Sequence, residues 1–148
     1  MKDFYHDQDL KIRYIKLSAK EKGKLLKNLK SRLRSNDEIM FAYVHGSFIE
    51  REFFRDIDVA LWLKTPHMAF NYTVDLSSKL EMELGIPIDI QVLNEAPLPF
   101  KFHVFTNGKL LYSRNENLRI EKADQSLRNY LDLKQLTALS AKAMSEKR

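Results

Sequence analysis

The stretch 41–63, FAYVHGSFIEREFFRDIDVALWL, limits what this chain can fold into more than any other, because two short apolar runs flank a Gly-Ser pair and an Asp-x-Asp pair. Phe41 to Val44 is aromatic and β-branched and stops at the turn signal Gly46-Ser47, which predicts a short buried strand followed by a charged loop. The run from Asp56 to Leu63 predicts a second strand. Its period of two puts Asp56, Asp58 and Ala60 on one face and Ile57, Val59 and Leu61 on the other. Residues two apart on a strand lie roughly 6.5 Å apart, within reach of one divalent cation or a close pair. Without a cation, two converging carboxylates repel and one pKa rises.

Gly46 lets backbone approach a bulky anion, and Ser47 adds a hydroxyl donor beside backbone N–H groups, which is chemistry suited to phosphate. A third acid, Asp89, sits in the strand-like run from Ile86 to Leu93 among Ile88, Ile90 and Val92. There a bare charge is costly unless it lies on a polar face with Gln91 or meets the first two acids on a neighbouring strand.

GSFIEREFFRDIDVAL followed by PIDIQVL resembles the polymerase-beta-like nucleotidyltransferase superfamily, with its Gly-Ser turn, loop, Asp-x-Asp and later strand carrying a third acid. The small size is similar to its minimal nucleotidyltransferase (MNT) branch, whose members are often encoded beside a HEPN-domain ribonuclease toxin. The resemblance spans about residues 41–112. It implies that Asp56 and Asp58 hold two Mg²⁺ ions, that Asp89 binds one of them and helps to activate the attacking hydroxyl, and that Gly46 and Ser47 hold nucleotide phosphates. Eight residues separate Ser47 from Asp56, where the branch usually has a longer loop, and Ile49-Glu50-Arg51-Glu52 replaces its common Ala-Arg-Gly. Arg51 and Arg55 are candidates to neutralise phosphate charge.

With 148 residues, 44% of them hydrophobic, the chain has material for one compact domain, with a core at about 18–113 and a helical extension at about 116–146. The expected fold class is α/β (α+β), a small mixed sheet with helices packed on it and a long C-terminal helix. A net charge of +5 suits polyanionic partners but is spread along a chain of which 30% is charged. The absence of cysteine excludes a disulfide framework and a thiolate metal site. No apolar run approaches a membrane span and the N-terminal segment lacks a signal-peptide core, so no membrane association and a cytoplasmic location are expected.

Residues 1–17 fit neither period and are expected to be irregular or a short strand. Ser18 to Glu21 spells a capping box, with Leu25, Leu26, Leu29 and Leu33 at helical spacing behind it and a solvated basic face of Lys20, Lys24, Lys27, Lys30 and Arg34. Thr65-Pro66 starts a helix with Phe70, Val74, Ser77, Leu80 and Leu84 on one face and Gly85 as its stop, returning the chain so that the Asp89 strand lies beside the Asp58 strand. Pro97 to Gly108 predicts a short Phe-rich helix whose rings fill the core, and Lys109 to Tyr112 a strand. From Glu116 onward one long helix is expected, with a break near Asp132 and a frayed basic tail. Its length exceeds what a small core needs, which leaves a surface for a partner or a second copy. His45 is a candidate substrate contact, whereas His6, His67 and His103 show no metal-ligand spacing.

The reading that follows is a Mg-dependent nucleotidyltransferase moving AMP from ATP to a hydroxyl. No second domain walls in a small acceptor, so the acceptor is expected to be a protein; by resemblance it is a tyrosine of a HEPN toxin, with this chain as antitoxin. Two alternatives stay open: a non-catalytic protein of the same fold that neutralises a toxin or holds RNA by contact, and nucleotidyl transfer to a nucleic-acid 3′ end.

Overall fold

The computed structural model describes residues 3–7 and 12–146. An antiparallel hairpin opens the chain, β1 (Asp3–Asp7) against β2 (Ile12–Lys16), with Asp7 opposite Ile12. This corrects the expectation of an irregular segment or one short strand at 1–17; residues 1, 2 and 8–11 lie outside the described residues. Ile15 and Leu17 alternate into the core and hold β2 to the body, which its mixed local pattern does not disclose.

Helix α1 (Ala19–Arg34) starts at the expected capping box, where Ser18 Oγ accepts the Glu21 N–H and Glu21 Oε1 accepts the Ser18 N–H. Leu29 and Leu33 are fully buried, Leu25 and Leu26 pack beside them, and the five basic residues of the opposite face are exposed. β3 (Ile39–His45) follows, then a four-residue helix α2 (Ser47–Glu50), a two-residue strand β4 (Phe53–Phe54) and β5 (Ile57–Leu63). The expected charged loop is thus folded around Phe48 and Phe54, both buried, whose rings meet edge to face at 4.8 Å. β4 pairs with β2, giving a small sheet of order β1-β2-β4.

The chain from Pro66 to Leu84 is helical but irregular: a 3₁₀ turn, α3 (Ala69–Asn71), a π turn over Tyr72–Leu76, and α4 (Ser77–Leu84), closed by Gly85 at φ 70°. The π turn widens the helix by one residue and resets its phase. Phe70 and Val74, expected on the buried face, are therefore exposed, while Tyr72, Leu80 and Leu84 are buried. Tyr72 secures the new phase by donating its hydroxyl to Asn36 Oδ1 at 3.0 Å. Thr65 precedes Pro66 as expected but makes no capping bond with its side chain.

β6 (Ile88–Val92), α5 (Leu98–Asn107), β7 (Lys109–Ser113) and α6 (Glu116–Glu146) complete the fold. The central sheet has the order β6-β5-β3-β7, with β5 and β6 parallel and the other neighbours antiparallel. One face, carrying Ala42, Val44, Ile57, Val59, Leu61, Ile88 and Ile90, packs with α1 and α4 into the larger core. The other carries Phe41, Tyr43, Ala60 and Leu93 under Val104, Phe100 and Phe105 of α5. Phe100 and Phe105 are partly buried, as core filling requires. Helix α6 runs without the expected break, since nothing near Asp132 interrupts its hydrogen bonding. Its first half is anchored by Leu118 and by Tyr130, whose ring stacks on Phe102 at 4.0 Å; residues 131–146 are all exposed. Lys147 and Arg148 of the tail expected to fray lie outside the described residues. Among the described residues no helix is long and apolar enough to cross a membrane.

Candidate active site

Register brings the acids together. In the parallel pair β5 and β6, Asp58 lies opposite Asp89 and Ala60 opposite Gln91, and adjacent strands run about 4.8 Å apart. On the other side of β5, His45 lies opposite Asp58 across the antiparallel pair with β3. Asp58, Asp89, Gln91 and His45 thus sit together at one end of the sheet face that α5 covers elsewhere. Asp56 stands one residue before β5, in the bend that leads into it, and Asp89 is exposed.

Gln91 connects these groups. Its Nε2 donates to Asp89 Oδ2 at 2.7 Å and, in a longer contact, to Asp58 Oδ1 at 3.4 Å; its Oε1 lies 2.8 Å from His45 Nε2. With both amide protons directed at carboxylates, Oε1 is the acceptor, so His45 donates through Nε2–H. His45 is buried between Gln91 and the Phe100 ring, and the His103 ring of α5 stands 6.3 Å away.

Burial, and then the charge of Asp56, push the Asp58 carboxyl above the ordinary carboxylate range; Asp89 adds to this, and His45 and Gln91 oppose it. That strain suits a cation, and the three acids offer the hard oxygen donors that Mg²⁺ prefers. Among the described residues no three His, Asp or Glu side chains form a ready-made metal cage, and the Gln91 amide bridges Asp58 and Asp89. The donor set fits Mg²⁺ by type and charge, on the condition that Gln91 yields.

Gly46 has φ 78° and ψ −156°, and a β-carbon there would collide with Asp58 Oδ2. Only glycine fits this turn. Ser47 begins α2 and its hydroxyl makes no hydrogen bond among the described residues. Arg51 ends α2 and Arg55 lies in the bend before Asp56; both are exposed and neither side chain makes a hydrogen bond or ion pair among the described residues, so they are not brought against the carboxylates.

Three residues that sequence reasoning did not assign to the site belong to it. Gln91 was legible only as part of a polar face. His103 comes beside His45 because α5 folds back over β3, for which no local pattern gives a signal. Lys22, on α1, reaches across the chain to donate to Phe48 O at 2.7 Å and Arg51 O at 3.0 Å, with its ammonium 5.0 Å from the Phe48 ring centroid. It holds α2, and hence the Gly46 turn, from behind.

The family model described as "Polymerase beta, Nucleotidyltransferase" matches residues 27–117, more than half of the chain. No curated protein matches the sequence significantly. Similar solved structures include a chain of the tri-AMPylated Shewanella oneidensis HEPN toxin in complex with MNT antitoxin, at TM-score 0.62 and 20% identity, covering 83% of this chain and 98% of that one. A toxin-antitoxin MntA-HepT structure matches at TM-score 0.61 and 20% identity, covering 82% and 98%. A toxin-antitoxin structure with AMP-PNP matches at TM-score 0.63 and 22% identity, covering 80% and 98%. The Gly46 turn, the paired acids of β5 and β6 and the mixed four-stranded sheet all lie within the matched stretch, and the chain belongs to the polymerase beta nucleotidyltransferase family.

Proposed function

We propose that this chain is a Mg-dependent nucleotidyltransferase that transfers AMP from ATP to a tyrosine hydroxyl of a HEPN ribonuclease toxin and thereby acts as its antitoxin. The observation that carries the reading is the pairing of Asp58 with Asp89 across parallel strands beside a turn that only glycine can make. Likeness to antitoxin complexes, one with an AMPylated toxin and one with an ATP analogue, supports the choice of nucleotide and partner. The whole chain acts as one domain in the cytoplasm, its core at about 18–113 bearing the site.

In this reading Gly46 and Ser47 receive the triphosphate, Ser47 through its open hydroxyl, while exposed Arg51 and Arg55 swing in to offset phosphate charge. Asp56, Asp58 and Asp89 would hold two Mg²⁺ ions, which supply charge neutralisation and lower the pKa of the acceptor hydroxyl. Asp89, once Gln91 Nε2 has released its Oδ2, would take the phenol proton. The phenol oxygen forms a bond to the α-phosphorus, the bond from that phosphorus to the β-bridging oxygen breaks, and pyrophosphate leaves with the electron pair. Position and charge do nearly all the work.

The Gln91 bridge favours a second reading, in which the fold neutralises its partner by contact alone. Intact-mass measurement separates the two. Mixing the chain with Mg-ATP and a cognate HEPN protein should add AMP-sized increments to the partner, and Asp58→Asn should abolish them. Tight binding without any mass gain under any nucleotide would leave the contact-only reading.

A further inference from the structure

On the far side of α5 from the carboxylates, a cleft of about 310 Å³ opens between α5, the first half of α6 and the ends of β5 and β6. Its lining contains no carboxylate. Lys122 and Lys101 hold their ammonium groups 5.5 Å and 5.8 Å from the centroid of the Trp62 ring. Lys101 donates to Asn94 O at 3.0 Å and keeps two N–H groups free to turn inward. Lys122 makes no hydrogen bond or ion pair among the described residues.

Ser126 is the second observation. It lines the cleft, is 6% exposed, and its hydroxyl makes no hydrogen bond among the described residues. Its Oγ is not closed off from solvent, and at the cleft it can donate to a bound oxygen. Lys122, Ser126 and Asn129 recur at helical spacing on one face of α6, and Gln125 lies beside them.

We propose that this cleft binds the phosphoryl group of a small ligand, either inorganic phosphate or a nucleoside monophosphate, at a site separate from the carboxylates. Two cations match a phosphoryl dianion, and a hydroxyl and two carboxamides on α6 add donors from a second side. The cleft's volume accommodates a phosphoryl group with a small substituent, not a nucleic-acid strand.

Trp62 is the only tryptophan in the chain, so its emission reports on this cleft directly. Inorganic phosphate, titrated into the full chain at constant ionic strength, should change that emission saturably. Lys101→Met/Lys122→Met should weaken binding at least tenfold, about 1.4 kcal/mol. Asn129→Asp, nearly isosteric, should do the same by adding a repelling charge, and it keeps the test valid if the double variant fails to fold. Asp58→Asn should bind phosphate as the parent does. A parallel titration with AMP names the source: tighter binding than phosphate identifies a nucleoside monophosphate, and equal binding free phosphate. A non-saturating change, reproduction of it by chloride, or undiminished binding by Asn129→Asp would overturn the proposal.

Discussion

Gly46 and Asp58 share one space: a β-carbon on residue 46 would meet Asp58 Oδ2 and lie 3.2 Å from Asp58 Cγ. The turn and the second carboxylate are thereby locked together. Gly46→Ala must accept a positive φ, at roughly 1–2 kcal/mol, and must also push Asp58 out of line with Asp89. Urea denaturation should show that loss, and Mg-ATP titration should show affinity reduced more than tenfold. Normal affinity in Gly46→Ala would remove the turn from the site.

Ser47→Ala tests the same turn without touching Asp58. Its hydroxyl has no partner among the described residues, so stability should stay within about 0.5 kcal/mol, while triphosphate binding weakens by roughly 0.5–1.5 kcal/mol. Calorimetry reads both, and unchanged binding would assign the phosphates elsewhere.

Asp58 carries the electrostatic cost of the site. Its carboxyl is raised above 3.8 by burial and by Asp56, so its contribution to stability is full below the unfolded value and falls as pH rises through the raised one. At pH 7 in chelating buffer, Asp58→Asn should therefore unfold at higher urea than the parent, and the gap should close towards pH 4. The same variant should lose stabilisation by Mg-ATP. A less stable Asp58→Asn at pH 7 would contradict this account.

How far the sequence discloses this arrangement depends on where each signal is written. Asp58 and Asp89 are legible because alternation along their strands is local and the Gly85-stopped helix between them dictates a parallel return. Phe70 and Val74 mislead because the π turn resets a helix phase that a regular period assumes. α2 and β4 are invisible because tertiary packing makes them: Phe48 and Phe54 enter the core, and Lys22, far away in sequence, donates to the carbonyls of Phe48 and Arg51. Gln91 was visible as a polar residue, but its bridge exists only once β5 and β6 are in register.

Lys22→Met keeps the aliphatic stem and removes the ammonium. Two charge-assisted hydrogen bonds to Phe48 O and Arg51 O are lost, together with the contact over the Phe48 ring. A cost of about 1.5–3 kcal/mol is expected. Because these bonds position α2, Mg-ATP affinity should fall although Lys22 touches no substrate, and Lys22→Arg should recover part of it. A stability loss with nucleotide affinity intact would make Lys22 a purely structural residue.

The last prediction concerns α6. Residues 131–146 are exposed along their whole length, including Leu131, Leu133, Leu136, Leu139 and Met144. A helical segment of this length is marginal by itself in water, and the folded core draws nothing from it: the anchoring contacts end at Tyr130 on Phe102. Removing residues 132–148 should therefore leave the urea stability of the remainder within about 0.5 kcal/mol. Amide exchange in the intact chain should be fast over 131–146 and slow over 118–130. Under the proposed function, apolar residues kept on an unanchored helix serve association with a HEPN partner or a second copy, so the truncated chain should lose binding that the parent shows by sedimentation. If truncation unfolds the core, or if association survives it, the exposed half of α6 has another role.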